Sequence, residues 1–131
     1  MIIVDGKNAR LGRLASYVAK ESLKGAEIVV VNCDSIVVTG GKNMVRERFQ
    51  AKRRRVGSGQ QGPKVSRSPH LIVKRTIRGM LPNARQSGRG KDALERIKCH
   101  GGIPKEFEGK KMVSLGDEKD AVLINVSEVY K

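Results

Sequence analysis

The side chains with the most chemistry to offer in this sequence are its cations. Between residues 42 and 98 there are 17 lysines and arginines against three acids, Glu47, Asp92 and Glu95, a surplus of 14 positive charges. The rest of the chain holds 10 basic and 10 acidic residues and is neutral, so the whole formal charge of +14 resides in the middle. A solvated surface usually mixes signs, and solubility needs only a few net charges. An uncompensated block repels itself in the compact state unless a polyanion lies against it. Displacement of condensed counterions from phosphates gives such a block a favourable use. The charge pattern points to a nucleic acid.

Other chemistries have less support. Thr39-Gly40-Gly41-Lys42, placed between a strand and a helix, invites a phosphate-binding reading, since backbone N–H groups at a helix N-terminus attract anions. The nucleotide-binding loop pattern GxxxxGK(S/T) and the GxGxxG dinucleotide fingerprint are both missing, so a glycine turn is the expectation. Cys33, His70, Cys99 and His100 include no CxxC or HxxxH pair, and no zinc site is expected. The two cysteines read as small reduced core residues. Acids are scarce in the basic region and dispersed elsewhere, and neither histidine has a sequence partner that suggests a nucleophile or triad. We expect no catalytic residue, no cofactor, no metal and no small-molecule substrate. No run nears the roughly 20 apolar residues of a membrane span. Residues 1–5 lack a basic segment followed by an apolar one, so no signal peptide is expected, and the location is expected to be cytoplasmic.

A single α/β domain over residues 1–131 must position these cations. With two Tyr, two Phe and no Trp, its core has to be built from Val, Ile, Leu and Ala. Residues 2–4 read as a strand closed by Asp5-Gly6. Leu11, Leu14, Ala15, Val18, Ala19 and Leu23 form an apolar stripe at helical spacing, with Asn8 as N-cap and Gly25 as the C-terminal glycine. Residues 28–31 are a continuous β-branched run, the mark of a strand buried on both faces. Strand, helix and buried strand imply a right-handed βαβ unit. Residues 35–39 read as a further strand.

The basic region then begins with a helix over 42–56, whose apolar side carries Met44, Val45, Phe49 and Val56. Residues 57–67, rich in Gly, Ser, Gln and Pro, read as a loop ordered by a partner. Ser68-Pro69 opens a second helix, to about Gly79, with Pro82 barring extension. Residues 83–90 read as a basic loop, and 91–99 as a short helix anchored by Leu94 and Ile97. Residues 112–115 and 122–126 could each add a strand. The sheet is expected to be small and mostly parallel.

This placement distributes the candidate contacts. Lys42, Arg46, Arg48, Lys52, Arg53, Arg54 and Arg55 lie on the first basic helix. Lys64, Arg67, Arg85 and Arg89 lie on loops, Lys74, Arg75 and Arg78 on the second helix, and Lys91 opens the third. Cations presented from helices and loops together suit an irregular folded RNA better than one groove of straight DNA. Phe49 is the only aromatic in the region, so stacking on bases is not expected, and recognition of backbone and shape is. A free RNA- or DNA-binding regulator and, from another class, a nucleotide-binding enzyme using Gly40-Gly41 stay open as alternatives.

Arg75-Thr76-Ile77-Arg78-Gly79-Met80-Leu81-Pro82 resembles the signature of the universal large-subunit ribosomal protein family thirteen. Leu11-Gly12-Arg13-Leu14-Ala15-Ser16 resembles that family's first helix. Val29-Val30-Val31-Asn32 and the Thr39-Gly40 turn resemble its second strand and the segment beyond that strand. Arg89-Gly90-Lys91-Asp92-Ala93-Leu94-Glu95-Arg96 and Gly102-Ile103-Pro104 resemble the segment after the signature. Residues 56–68 look more like the archaeal and eukaryotic branch than the bacterial one, and the match weakens after Glu106. The resemblance implies a three-layer α/β/α fold with a four-stranded sheet. It also implies a structural constituent of the large ribosomal subunit, without a part in peptide-bond formation. The implied partners are large-subunit ribosomal RNA and neighbouring large-subunit proteins.

Overall fold

The computed structural model describes residues 1–55, 57, 62–86, 88–116 and 122–131. Val56, residues 58–61 of the expected partner-ordered loop, and residue 87 of the expected 83–90 loop lie outside these. Strand β1 (Ile2–Asp5), helix α1 (Leu11–Leu23) and strand β2 (Ile28–Val31) form the expected parallel βαβ unit. All four residues of β2 are buried, because both its edges are paired and both its faces are covered. Helix α1 turns Leu11, Leu14, Ala15, Val18, Ala19 and Ser22 inward, and the buried Ser22 hydroxyl donates to the Ala19 carbonyl at 3.0 Å. Gly25 ends the helix at φ +98°, and its N–H donates to Ser22 O while that of Ala26 donates to Glu21 O. This is the double bond pattern of a left-handed helix cap, which favours glycine.

The start of α1 differs from expectation. Arg10, not Asn8, occupies the N-cap position, without a side-chain cap. Val37 N–H donates to Ala9 O at 2.9 Å, and Arg10 bridges to Val37. These contacts hold the backbone extended past Asn8, so the helix cannot begin there.

Strand β3 (Val37–Thr39) pairs antiparallel with β6 (Leu123–Asn125) in a separate two-stranded ribbon, and Ser35 belongs to the 3₁₀ turn Cys33–Ser35. Helices α2 (Lys42–Arg54) and α3 (Pro69–Met80) come next, the latter with Ser68 at its N-cap and Pro69 in its first turn, as expected. Helix α4 (Arg89–Glu95) is shorter than expected and begins earlier, so Arg89 is helical and not part of a loop. The expected helix over 91–99 is corrected at its second half. Ile97–Cys99 is strand β4, parallel to β2 with Ile28 opposite Ile97 and Val30 opposite Cys99. One buried Ile fits a helical or an extended period equally well. The open edge of β2 decides, because unpaired buried backbone groups are costly.

With β5 (Val113–Ser114) beside β1, the main sheet has the order β4-β2-β1-β5 and every pairing in it is parallel. Helices α1, α3 and α4 cover the face made by Val4, Ile28, Val30 and Ile97. On the opposite face Ile3, Val29 and Val31 pack against Phe107 and Met112, so the third layer is little more than the 3₁₀ turn Lys105–Phe107. Helix α2 stands apart from both layers, on a small cluster of Val45, Ile124 and Val129.

Among the glycines of the described residues, Gly90 has the least room for a side chain. A Cβ there would overlap the Pro82 carbonyl, so α4 rests directly on the turn that ends α3. Gly90→Ala should therefore destabilise the fold by about 1–3 kcal/mol through overpacking. Gly12, in α1 with open space around its Cα, makes the contrast, and Gly12→Ala should stabilise by about 0.5–1 kcal/mol. Urea denaturation midpoints of the two variants check both signs.

Candidate nucleic-acid interface

The cationic helices are placed by apolar contacts distant in sequence. Ile72, Val73 and Ile77 seat α3 in the main core, while Val45 seats α2 on Ile124 and Val129. Where the two helices face each other, Tyr130 enters from the C-terminal segment. Its ring meets Phe49 edge to face, with centroids 5.9 Å apart and planes at 85°, and its hydroxyl donates to the Phe49 carbonyl at 3.4 Å. Lys52 Nζ lies 5.3 Å from the Phe49 centroid and the Arg53 guanidinium 5.4 Å from that of Tyr130, within the range of cation–π attraction. Burial raises the Tyr130 hydroxyl pKa above its ordinary value, while Arg53 and Arg75 act against it. The hydroxyl is therefore a neutral donor at physiological pH.

Around this aromatic pair the surface is hollowed. Arg75, Arg78, Asn83 and Arg85 border a concavity of about 460 Å³. Next to it lies a narrower groove of about 220 Å³ between α2 and α3, floored by Phe49, Leu71 and Tyr130 and flanked by Lys52 and Arg75. Arg75 and Gly79 line both. Beyond Tyr130, Arg53, Arg54 and Arg67 border a third hollow, and Lys64 joins Arg53 at a fourth. Arg54 and Arg55 edge a fifth on the outer side of α2. Lys52, Arg53, Arg54, Arg55, Lys64, Arg67, Arg75, Arg78 and Arg85 thus line successive depressions that share residues. Among the described residues none of the fifteen candidate cations has a carboxylate partner, whereas Lys24, outside that set, pairs with Glu21 at 2.7 Å.

The remaining candidates lie elsewhere. Arg46 is half-buried and its Nε donates to the Glu128 carbonyl at 3.4 Å, which ties α2 to the C-terminal turn. Arg89 Nη2 donates to Leu23 O at 3.1 Å and so closes the end of α1. Lys74 acts on the cysteine side of α3, where its charge reaches Cys99. Lys42, Arg48 and Lys91 are exposed outside the shared hollows. Sequence reasoning missed Tyr130 altogether. It is far from the basic region in sequence, and no periodicity connects the two.

The other candidate chemistries end as structural features. Gly40 has φ +133° and its N–H donates to Val122 O at 2.9 Å, so the Gly40-Gly41 turn joins the ribbon to α2. Among the described residues no group of His, Cys, Asp and Glu could hold a metal ion. Cys33 and Cys99 are free thiols brought together by the β2–β4 pairing. The hydrogen bond to Cys99, with burial, pushes the Cys33 thiol far up. The same bond holds Cys99 below its ordinary value; burial opposes this and the Lys74 charge adds to it. No helix of the described residues is long and apolar enough to cross a membrane.

The fold and this face together define a small α/β protein that turns a strongly cationic face outward from an apolar core. Comparison with known proteins places it among relatives. A family model described as ribosomal protein L13 matches residues 1–106. Large ribosomal subunit protein uL13 of Archaeoglobus fulgidus is 43% identical over 129 residues, covering 98% of this chain and 79% of that protein. The proteins of the same name from Thermoplasma volcanium and Methanocaldococcus jannaschii are 36% identical over 134 residues and 40% identical over 117. These cover 100% and 87% of this chain, and 96% and 84% of the relatives. The chain belongs to the ribosomal protein L13 family, whose members are structural proteins of the ribosome and not enzymes. The archaeal relatives agree with the branch that residues 56–68 resemble.

The thiol pair yields a direct test. Reactivity follows the thiolate, so iodoacetamide should modify Cys99 before Cys33, with its half-maximal rate at a lower pH than for an ordinary thiol. Lys74→Ala, which removes a favourable charge, should move that midpoint upward. Mass spectrometry of partially labelled protein reads the order.

Proposed function

We propose that this chain is a structural constituent of the large ribosomal subunit that binds and stabilises large-subunit ribosomal RNA through the cationic face of α2, α3 and the turns beside them. In the cytoplasmic ribosome it would also meet neighbouring large-subunit proteins. The observation that carries this reading is the run of adjoining hollows whose cations lack carboxylate partners among the described residues. A protein surface meant for water interleaves signs; this one is arranged for phosphate. Arginine suits it, since the guanidinium forks onto phosphate oxygens and stacks on bases. The fifteen cations named from the sequence divide accordingly. Those lining the hollows make the contacts, Lys42, Arg48 and Lys91 extend the field, Arg46 and Arg89 act chiefly by holding helices in place, and Lys74 stands on the cysteine side of α3.

Binding of the purified chain to large-subunit ribosomal RNA should fall steeply with salt. About ten phosphate contacts give a log–log slope near −9 on duplex and less on single strands. A slope near zero would sink the mechanism. Arg75→Ala and Arg78→Ala should each weaken binding by about 1–3 kcal/mol while leaving the melting temperature in place. Lys74→Ala, on the cysteine side, should change affinity by less than about twofold. If instead Arg75→Ala lowers the melting temperature and spares affinity, its role is in packing.

A further inference from the structure

The groove between α2 and α3 differs from the hollows around it in being lined by two aromatic rings together with Leu71. Its floor is apolar and partly open to solvent, with Leu71 at 44% exposure beside the half-buried rings of Phe49 and Tyr130. The hydrogen bond from Tyr130 to the Phe49 carbonyl fixes the edge-to-face pair in advance. Lys52 and Arg75 stand at its sides. Flat apolar surface bordered by cations is complementary to a nucleotide, whose base is flat and whose phosphate is anionic. The volume, about 220 Å³, is below the ~300–1,000 Å³ of sites that enclose drug-sized ligands. It suits one base and not a string of them.

Gly79 supplies an independent observation. It lies within α3, where glycine weakens a helix, and a Cβ there would meet nothing within 4 Å. The fold itself therefore does not ask for glycine at this position. Yet Gly79 lines both the apolar groove and the neighbouring concavity of Arg75, Arg78 and Arg85. A Cβ there would enter open space where the two hollows adjoin. Close approach of a ligand to bare backbone is a standard reason for glycine.

We propose that the α2–α3 groove seats one unpaired nucleobase of the bound RNA, with its flanking phosphate on Arg75 and Arg78, and that Gly79 keeps the passage between the two hollows open. This rests on the RNA-binding reading above and adds a stacking contact to a surface expected to read backbone alone. The cationic rim favours RNA over an apolar side chain of a neighbouring protein as the occupant.

The test compares single strands of about eight nucleotides, oligouridylate and oligoadenylate, with an abasic ribose-phosphate strand of equal length, bound to the full chain at low salt. Stacking of one base should make the better base-bearing strand about 5- to 150-fold tighter than the abasic one. Gly79→Leu should bring that ratio to within about twofold of unity, with abasic affinity retained and the melting temperature not lowered. Leu71→Gln, at an exposed position, should reduce the ratio in the same direction without altering the helix backbone. Equal affinity of all strands for the unaltered chain overturns the base seat, as does a ratio that survives both substitutions. Loss of abasic binding in Gly79→Leu also overturns it, because the strand's backbone and not its base then occupies the site. If any of these occurs while binding to large-subunit ribosomal RNA stays steeply salt-dependent, the RNA-binding reading stands and only the base seat falls. A salt slope near zero removes both.

Discussion

The parallel pairing of Ile28–Val31 on both its edges is the constraint to which the other elements answer. A strand with four buried residues needs partners for every backbone group and cover for both faces. β1 and β4 supply the partners, in register with Ile28 opposite Ile2 and Ile97. α1, α3 and α4 supply one cover and Phe107 with Met112 the other. This arrangement is closed before any cation is considered. The core is accordingly made of the neutral flanks and a few apolar residues that the basic region lends to it, among them Ile72, Val73, Ile77 and Ile97. Charge can then accumulate on the outer surfaces of the same helices without entering the interior.

The cationic face depends on a second and smaller anchorage. α2 contributes one fully buried residue, Val45, and its remaining hold comes from the half-buried Phe49 and the Arg46 bond to Glu128. Its seat is the β3–β6 ribbon with Val129 and Tyr130. α3 is set deeply in the main core and α2 shallowly in a satellite one. The groove between them therefore has one firmly placed wall and one held by few contacts. Regions with few buried apolar contacts open at lower free energy than the core. A face with one such wall can adjust to an irregular partner while keeping its inner edge fixed.

Much of this was legible from residue pattern. β1, α1, β2 and α3 announce themselves through β-branched runs, helical spacing and the Ser68-Pro69 start, because each is stabilised largely by its own periodicity. The difficult places are those where a distant partner decides. Ile97 to Cys99 reads as the tail of a helix until the open edge of β2 is considered. Asn8 is a good capping residue, but the bridges at Ala9 and Arg10 hold the chain extended beyond it. The strand after Cys33 is present but belongs to a ribbon whose other half arrives more than eighty residues later. The candidate site shows the same division. Its charge surplus is a local sum, visible by counting, whereas the aromatic pair unites Phe49 with Tyr130 and has no signature in either neighbourhood. Arg46 and Arg89 look like any other surface cations in sequence, and only the carbonyls they meet reveal them as fasteners.

The late arrival of the ribbon's second strand has a temporal side. During synthesis a chain emerges from its N-terminus, and segments fold as their partners become available. β1, α1 and β2 can associate early, since their contacts are close in sequence. α2 is made soon afterwards, but its seat consists of Ile124, Val129 and Tyr130, which the ribosome adds far later. Until those residues are made, the most basic helix lacks the larger part of its seat. The apolar-floored groove comes into being only when Tyr130 has been added. The order of synthesis thus places completion of the cationic face after β1, α1, β2, α3 and β4 have been made.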